Sequence, residues 1–223
     1  MPDLLTCTCI QILKCGDEME ATRLRCGWCG DDPLYLEYHD TEWGVPLHDD
    51  RKIFEFLQLE MFQAGLSWIT ILRKREAFRR AFDGFNPEAI SSFSGSDIDR
   101  LMHDAAIIRN RKKLEASVKN ANAYLSVRDE FGSFDRYIWR FVGGRQIDNA
   151  FKSLRSIPPR SAESEKMSLD LRSRGFSFLG PVICYAHMQA TGMVNDHIVG
   201  CFRHSECLAE GNSKYKVQLR KGR

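Results

Sequence analysis

The chain of 223 residues lacks the features that mark a membrane protein or a secreted, disulfide-bonded protein. No apolar run approaches the roughly 18 residues that a membrane-spanning helix needs. The first residues show no basic region followed by a continuous apolar stretch, which argues against a secretory signal. We therefore expect a cytoplasmic protein with no membrane partner, in which the eight cysteines are reduced thiols or metal ligands.

The sequence also has little that indicates β-strands. No segment combines sustained alternation of apolar and polar residues with turn signals, and there is no internal repeat or low-complexity tract. From Asp49 onward, apolar residues instead recur at helical spacing after good capping residues. The predicted helices cover residues 49–62, 67–82, 109–127, 133–141, 161–174 and 181–191. A short helix is predicted to begin at Pro87 and another at a Ser96–Asp99 capping box, so the fold class is mostly helical.

The two ends of the chain differ from its middle. Hydrophobic residues make up 43% of the sequence and charged residues 28%, which is typical of a folded chain. Residues 1–22 lack helical periodicity and capping signals, and we expect residues 1–18 to be a dispensable extension or the product of an upstream start codon. The functional domain is expected to cover residues 23–205, followed by a basic tail at 206–223.

The net charge of +2 neither requires nor excludes a polyanionic partner, but basic residues are unevenly distributed. They concentrate in three segments, which contain Arg73, Lys74, Arg75, Arg79 and Arg80, then Arg109, Arg111, Lys112 and Lys113, and finally Lys214, Lys216, Arg220, Lys221 and Arg223. Such segments can follow a phosphate backbone. They can equally be solvated helix faces, and the sequence leaves both interpretations open.

Cysteine and histidine residues near both ends of the chain suggest a metal site. His197 and Cys201 are four residues apart, so a helix would place the imidazole and the thiol on one face. Cys26, Cys29 and His39 are further candidates, and four such ligands would form a tetrahedral structural zinc site. Buried thiols and a hydrogen-bonded core imidazole would give the same pattern without a metal. The spacing of Cys26 and Cys29 also permits a redox dithiol, although no βαβ pattern surrounds it.

Glu60 interrupts the apolar face of the helix that is predicted at 49–62. The residues that share its helical row are Ile53, Phe56, Leu57 and Ala64. Because an ionised carboxylate among apolar side chains is costly unless it is paired or hydrogen-bonded, Glu60 is a candidate functional group. A structural carboxylate paired with an arginine is the alternative. The aromatic residues expected near this helix are Trp28, Tyr35, Tyr38, Trp43 and Trp68.

Residues 104–109 form a short connection between two predicted helical stretches. The backbone N–H groups of a turn that leads into a helix N-terminus can bind a phosphate, and the basic residues that follow would help to hold a DNA strand. An ordinary helix–helix connection has the same appearance in the sequence.

Several short motifs occur together along the chain. They are RCGW at 25–28, DPLY at 32–35, YHD at 38–40, EWGVP at 42–46, QAGLSWIT at 63–70, IIR at 107–109, GF at 175–176, ICY at 183–185 and NDHIVGC at 195–201. This set resembles the bacterial 3-methyladenine DNA glycosylase I family, a divergent branch of the helix-hairpin-helix glycosylases. The similarity covers about residues 23–203, and QAGLSWIT and NDHIVGC are highly specific in combination.

The resemblance implies a helix-hairpin-helix glycosylase fold with a site for one structural zinc ion. The implied ligands, which would join the N- and C-terminal segments, are Cys26, His39, His197 and Cys201. The implied base pocket holds the catalytic candidates Glu60 and Tyr38 together with Trp68, Trp28 and Tyr35. Gly65 and Leu66 would lie at the gap that a flipped nucleotide leaves. The implied partner is double-stranded DNA with a flipped alkylated purine, bound by a monomer in the bacterial cytoplasm.

The resemblance implies hydrolysis of the N-glycosidic bond of 3-methyladenine in base-excision repair. N3-methylation gives adenine a positive charge, which makes it an activated leaving group. An aromatic face such as that of Trp68 attracts this cation by about 0.5–2 kcal/mol. We find no lysine placed for Schiff-base chemistry, so we expect base removal without strand cleavage. The alternative function is a non-catalytic zinc-containing nucleic-acid-binding module.

Ala106 departs from the pattern of the family, which usually has glycine at this position of the hairpin. If the position needs a positive φ, alanine would cost on the order of 1 kcal/mol and would weaken the grip on DNA. We expect Lys112 and Lys113 to compensate electrostatically.

Overall fold

A computed structural model describes residues 23–221 of the chain, and it describes side chains for residues 23–211. The expected extension at 1–22 and the side chains of the tail beyond residue 211 therefore lie outside the described residues. Within them, the chain is mostly helical, as predicted. The helices are α1 (Pro33–Thr41), α2 (Asp50–Gln63), α3 (Trp68–Ala81), α4 (Pro87–Ser91), α5 (Gly95–His103), α6 (Arg111–Phe131), α7 (Phe134–Trp139), α8 (Ala162–Ser173), α9 (Pro181–Ala190) and α10 (Phe202–Lys221).

Local capping explains where most of the predicted helices begin. The Asp49 side chain accepts a hydrogen bond from the Lys52 amide at the start of α2, and Asn86 caps α4 ahead of Pro87. The predicted capping box at Ser96 is wrong by two residues. Ser94 is the N-cap of α5 and exchanges hydrogen bonds with Asp97, because the helix begins at Gly95 and not after Ser96.

Two helices were not predicted. Helix α1 follows Asp32, whose side chain accepts from the Leu34 amide, and has Pro33 at its first position. Helix α10 begins at Phe202, so the expected boundary between residues 205 and 206 falls inside a helix. The first part of the expected tail therefore continues a helix that starts in the preceding segment.

Few strands were expected, and the part of the chain that the structure describes has one short pair. Strands β1 (Ile147–Asp148) and β2 (Val194–Asn195) are parallel, with Ile147 opposite Val194. They tie the segment before α8 to the segment after α9. Across residues 23–221, no helix is long and apolar enough to cross a membrane.

Helix α2 occupies the centre of the fold and packs against α3, α6, α7 and α9. Every residue from Ile53 to Phe62 is buried, including Glu55, Gln58 and Glu60. Ala64, which was expected on the same buried row, instead follows the helix as its C-cap and is exposed. A helix that is buried all round must find partners for its polar side chains or leave them unsatisfied.

The first of the described basic segments is largely neutralised within the protein. Arg75 is buried and forms ion pairs with Glu55 and Glu42, while Arg79 also pairs with Glu55. Lys74 donates to the carbonyl groups of residues 105 and 106, and Arg73 pairs with Asp32. Residues 73–79 thus make ion pairs and hydrogen bonds within the protein, and Arg75 is buried.

Lys113 also differs from the expectation that it would face DNA. Its ammonium group is buried and donates to the carbonyl oxygens of Phe62, at 2.9 Å, and Ala64, at 2.8 Å. These carbonyls belong to the last turn of α2 and the residue beyond it, where cations interact favourably with the helix dipole. Burial lowers the pKa of Lys113. The side chain thus fastens α6 to the end of α2.

We expect Lys113→Met to lower the free energy of unfolding by about 1.5–3 kcal/mol, because it leaves the buried Phe62 carbonyl and the part-buried Ala64 carbonyl without their charged donor. Urea denaturation measures this change. The matched control is Lys112→Met on the exposed neighbouring position, which should change stability by less than about 0.5 kcal/mol. Equal effects of the two substitutions would contradict the capping role of Lys113.

Candidate active site and metal-ligating cluster

A cavity of about 240 Å³ opens between α1, α2, α3 and α9. Its lining residues are Trp28, Tyr35, Tyr38, Trp43, Glu60, Gln63, Trp68, Ile157, Ala186 and Gln189. All five residues expected in the base pocket are among them, namely Glu60, Tyr38, Trp68, Trp28 and Tyr35. The structure therefore brings together side chains from distant parts of the sequence around one concave site, the usual setting for a ligand.

Aromatic rings form a continuous wall of this cavity. The ring centre of Trp28 lies 5.0 Å from that of Tyr35 and 4.9 Å from that of Trp43. Tyr38 continues the wall to Trp68, with 5.4 Å between their ring centres. These separations fall in the range of favourable aromatic pairs, so the wall holds a fixed shape suited to a flat ligand.

Glu60 lies in this aromatic setting without a partner. It is 5% exposed, and within the described residues its carboxyl group has no hydrogen bond or ion pair. Burial raises its pKa to about 8. The alternative of an arginine-paired carboxylate applies instead to Glu55 on the same helix, whose Oε1 lies 2.6 Å from Arg75 Nε. Glu60 is therefore free to interact with a ligand.

The other polar groups of the wall are donors. Burial raises the pKa of the Tyr38 hydroxyl well above its usual range, with nearby Glu60 as a further cause, so this hydroxyl keeps its proton. The indole Nε1 atoms of Trp28 and Trp68 are buried and have no hydrogen-bond partner among residues 23–211. The cavity thus presents uncommitted donors beside one uncommitted carboxyl group.

Gln189 is a cavity residue that the sequence did not indicate. Its Nε2 donates to Asp196 Oδ2 at 2.7 Å, and the fully buried Asp196 also accepts from Tyr185 and Asn149. Because a carboxylate only accepts hydrogen bonds, this contact fixes the amide and leaves its oxygen as an uncommitted acceptor. The sequence signal that could have indicated Gln189 is its position as a polar residue near the end of the apolar helix α9. Gln63, Ile157 and Ala186 were also missed.

A turn at residues 64–67 follows the cavity residue Gln63. The Leu66 amide donates to the Gln63 carbonyl at 2.7 Å, and the Gln63 side chain donates back to the Leu66 carbonyl at 2.7 Å. Gly65 has φ +87°, a conformation that favours glycine. Gly65 and Leu66 do not line the cavity, but the turn presents the Leu66 side chain, which is 39% exposed, beside it.

Residues 104–110 connect α5 to α6 in a compact turn. The Ala106 amide donates to the Asp104 side chain, and Asn110 caps α6 through the Lys113 amide. Among the described residues, the non-glycine positions with positive φ are Asp83, Phe85, Ala150 and Phe178. Ala106 is not one of them, so the strain considered for this position is absent. The backbone amides of residues 108 and 109 have no protein acceptor in the described part of the chain.

Four side chains meet in a second buried cluster beside the cavity. The potential ligand atoms of Cys26, His39, His197 and Cys201 all lie within 4.8 Å of one another. Cys201 Sγ is 3.5 Å from both His39 Nε2 and His197 Nδ1, and Cys26 Sγ is 3.6 Å from His197 Nδ1. A hydrogen bond with Cys26, assisted by the two imidazoles, lowers the pKa of the Cys201 thiol. The cluster joins the start of the described chain to the segment before α10.

Both imidazoles of this cluster are held by acceptors on their outer nitrogen atoms. His39 Nδ1 lies 2.7 Å from the Asp40 carboxylate, and His197 Nε2 lies 2.9 Å from the Trp43 carbonyl oxygen. These contacts fix the tautomers so that the inner nitrogen atoms present lone pairs to the thiols. Arg25 in turn holds Asp40 through a bidentate contact. This arrangement matches the outer contacts that usually orient histidine ligands of metals.

Cys29 lies outside the cluster, as the resemblance implied. Its thiol donates to the Cys26 carbonyl at 3.0 Å. All five described cysteines are free, so the Cys26–Cys29 pair is not a disulfide in this structure.

The cluster and the cavity share their walls. The Trp28 ring contacts the His39 imidazole, with 5.3 Å between ring centres, and the Trp43 ring contacts His197, at 4.6 Å. Gly44 follows Trp43, and a Cβ there would approach the His197 ring to 2.9 Å, so only glycine allows this close packing. The position of the aromatic wall therefore depends on the cluster behind it.

A family model and two relatives that cover most of the chain indicate the same family. A model of the methyladenine glycosylase family matches residues 28–204. The chain is 46% identical over 188 residues to DNA-3-methyladenine glycosylase 1 of Escherichia coli, a match that covers 84% of this chain and 98% of that protein. It is 47% identical over 177 residues to DNA-3-methyladenine glycosylase of Haemophilus influenzae, covering 79% and 96%.

Solved structures give the same result for the fold. The crystal structure of a 3-methyladenine DNA glycosylase I superposes with a TM-score of 0.79 at 47% identity, covering 80% of this chain and 98% of the other. The Staphylococcus aureus 3-methyladenine DNA glycosylase I, whose structure describes recognition of 3-methyladenine, superposes with a TM-score of 0.78 at 40% identity, covering 80% and 95%.

The raised pKa of Glu60 predicts how stability depends on pH. The folded state binds the Glu60 proton more tightly than the unfolded state, where the carboxyl pKa is about 4.5. The protonated carboxyl group therefore contributes its full stability below about pH 4.5, and this stability is lost as pH rises toward 8. The Glu60→Gln variant cannot ionise at this position, so its stability does not fall for this reason as pH rises. We expect equal unfolding free energies for the two proteins near pH 4, whereas near pH 9 the variant should be more stable by on the order of 3 kcal/mol. Urea denaturation across this range checks the difference, and parallel pH profiles would contradict the assignment.

Proposed function

Because the chain belongs to the methyladenine glycosylase family, we propose that it is a DNA-3-methyladenine glycosylase, a hydrolase that cleaves the N-glycosidic bond of 3-methyladenine in alkylated DNA. The observation that carries the proposal is the partnerless carboxyl group of Glu60 in the aromatic cavity. A buried carboxyl group without a partner is destabilising when ionised, and a cationic ligand would relieve that cost. The base that this reaction removes, 3-methyladenine, is such a cation in DNA.

The roles proposed for the cavity residues follow from their chemistry. The substrate nucleotide must leave the DNA stack to reach a cavity of this kind. The face of Trp68 attracts the cationic purine, while Glu60 and Tyr38 hydrogen-bond the edge of the base. Entry of the cation lowers the pKa of Glu60 and favours its ionised form. A neutral adenine gives no such compensation, and it leaves buried polar groups poorly paired.

The leaving group itself supplies much of the reactivity. A positively charged purine departs without the protonation that a normal base needs, so the protein's contribution is extrusion, positioning and electrostatic stabilisation. Water is the proposed final acceptor of the sugar. No lysine lines the described cavity, which supports base removal without the Schiff-base chemistry of strand cleavage.

The surface next to the cavity supports the proposed engagement of duplex DNA. Leu66 projects from the turn at 64–67, where it would fill the gap left by the extruded nucleotide with Gly65 beside it. The connection at 104–110 is the proposed hairpin of a helix-hairpin-helix element, and its unpaired amides would bind a backbone phosphate. We propose that the protein binds DNA as a monomer. A DNA substrate and bacterial relatives support the proposal that the protein acts in the bacterial cytoplasm.

We propose that Cys26, His39, His197 and Cys201 hold one structural zinc ion. Zinc bonds of about 2.3 Å to sulfur and 2.0–2.1 Å to nitrogen place the two ligand types about 3.55 Å apart in a tetrahedral site. Three of the four sulfur–nitrogen distances in the cluster, at 3.5–3.6 Å, fit this value. The ion would fasten the N- and C-terminal parts of the proposed domain at 23–205 and take no part in the reaction.

We expect the protein to release free 3-methyladenine from methylated duplex DNA, and Glu60→Gln and Trp68→Ala to slow single-turnover release by about 10- to 1000-fold. Chromatography of the released base measures the rate. The matched control is Glu37→Gln on the exposed face of α1, which should retain the rate of the unmodified protein. Denaturing gels of the same DNA should show no strand cleavage before alkali treatment.

Two outcomes would contradict this proposal. If the folded protein binds methylated duplex DNA but releases no base, it is a nucleic-acid-binding module and not a glycosylase. If the variants release base as fast as the unmodified protein, the aromatic cavity is not the site of the reaction.

We expect the purified protein to contain one zinc ion per chain and Cys201→Ser to lose most of it, because three remaining ligands bind zinc far more weakly. Cys29→Ser provides a matched control, since its thiol is buried near the cluster but contacts the Cys26 carbonyl instead. Elemental analysis gives the zinc content, and thermal unfolding with and without a chelator gives the coupling to stability. Full zinc content in Cys201→Ser, or loss in Cys29→Ser, would overturn the ligand assignment.

A further inference from the structure

The connection between α8 and α9 exposes an aromatic side chain in a strained position. Phe176 and Leu179 are buried, but Phe178 between them is 48% exposed. Its φ is +60°, in the left-handed region that residues other than glycine, asparagine and aspartate rarely adopt. Such conformations persist only where the surrounding structure enforces them, and they cluster at functional sites.

Asn120 enforces this conformation from α6. Its buried side chain accepts from the Ser177 amide at 2.7 Å and donates to the Ser177 carbonyl at 3.3 Å. The same Nδ2 lies 3.5 Å from the sulfur of Met61, the neighbour of Glu60 on α2. The backbone that leads into Phe178 is therefore tied to the scaffold that carries the cavity.

Phe178 forms one side of a recess of about 160 Å³ on the surface of α6. The other lining residues are Lys112, Glu115, Ala116, Lys119 and Ser177. Lys112 and Lys119 are exposed and have no ion pair within the part of the chain that the structure describes. Glu115 is the one acid of the lining, so the recess combines an apolar ring with a net positive charge.

The recess lies close to the proposed DNA-binding elements along α6. Lys113 bonds the carbonyls of Phe62 and Ala64, which places the first turn of α6 against the turn that carries Leu66. Residues 104–110 lead directly into this turn of α6. Lys112 lies in this first turn. Phe178 lines the recess together with Ala116 and Lys119, which lie one and two turns further along the same helix.

We propose that Phe178 is a second apolar contact for the substrate DNA, packing on a nucleotide other than the extruded one while Lys112 and Lys119 contact the neighbouring phosphates. This inference rests on the proposed glycosylase function. An aromatic ring between two unpaired cations matches a nucleic acid strand, which alternates apolar nucleoside faces with anionic phosphates. Because Asn120 already fixes the backbone of Ser177, next to Phe178, less backbone freedom is lost on binding.

Phe178→Asn tests the contact without adding strain, because asparagine tolerates a positive φ. We expect the dissociation constant for a duplex with a stable abasic-site analogue, measured by fluorescence anisotropy at fixed salt, to rise about 5- to 50-fold. The melting temperature should not fall, and the rate of base release at saturating DNA should stay within about 3-fold of the unmodified protein. Phe178→Tyr should restore affinity, and the control Leu169→Ala, at another exposed apolar position, should leave it unchanged.

Lys112→Gln and Lys119→Gln give an independent test that does not touch the strained loop. Each should reduce the slope of log affinity against log salt by about 0.9. DNA affinity of Phe178→Asn equal to that of the unmodified protein, or unchanged salt slopes in both lysine variants, would overturn the proposal. If the unmodified protein releases no base, the glycosylase function fails, while the anisotropy series still decides whether this recess binds DNA.

Discussion

The burial of one carboxyl group without a protein partner is the constraint on which the site depends. Helix α2 is buried on all sides, and it compensates Glu55 with two arginines but leaves Glu60 facing an aromatic cavity. The pKa of Glu60 rises to about 8 as a result. A cationic ligand reverses that cost, whereas a neutral one does not. The unfavourable free energy of ionising Glu60 without a partner thus becomes a preference for a charged base over a neutral one.

The remaining structure keeps this cavity rigid and adjacent to DNA-facing elements. The Cys–His cluster lies behind the aromatic wall, where His39 contacts Trp28 and His197 contacts Trp43. On the other side, Lys113 fastens α6 to the end of α2. Helix α2 thus connects the aromatic cavity with the turn at 64–67, while α6 connects the end of α2 with residues 104–110 and the recess at Phe178. Displacement of any of these elements would change the cavity, because interiors packed at this density transmit strain.

The sequence predicts those features that local chemistry determines. The helix starts at Asp49 and Asn86 are predictable because a capping residue acts on its own sequence neighbours. Glu60 is recognisable because it is a carboxylate in a helical row of apolar residues. Features that depend on distant partners were predicted only where the family resemblance supplied them, as for the aromatic cavity and the Cys–His cluster. The inward orientation of Lys113 requires the end of α2, and the fixed amide of Gln189 requires the buried carboxylate of Asp196. The absence of a partner for Glu60 is itself a tertiary property, since α3 directs its arginines to Glu55.

Binding of a purine cation with a permanent charge tests the central claim most directly. The probe is the 3,9-dimethyladeninium ion, compared with neutral 9-methyladenine by isothermal titration calorimetry from about pH 6 to about pH 9. The account predicts that the cation binds more tightly than the neutral base, gains affinity as pH rises toward the pKa of Glu60 near 8, and releases a proton on binding below it. Equal affinity for the two purines, or binding of the cation that is independent of pH, would contradict it.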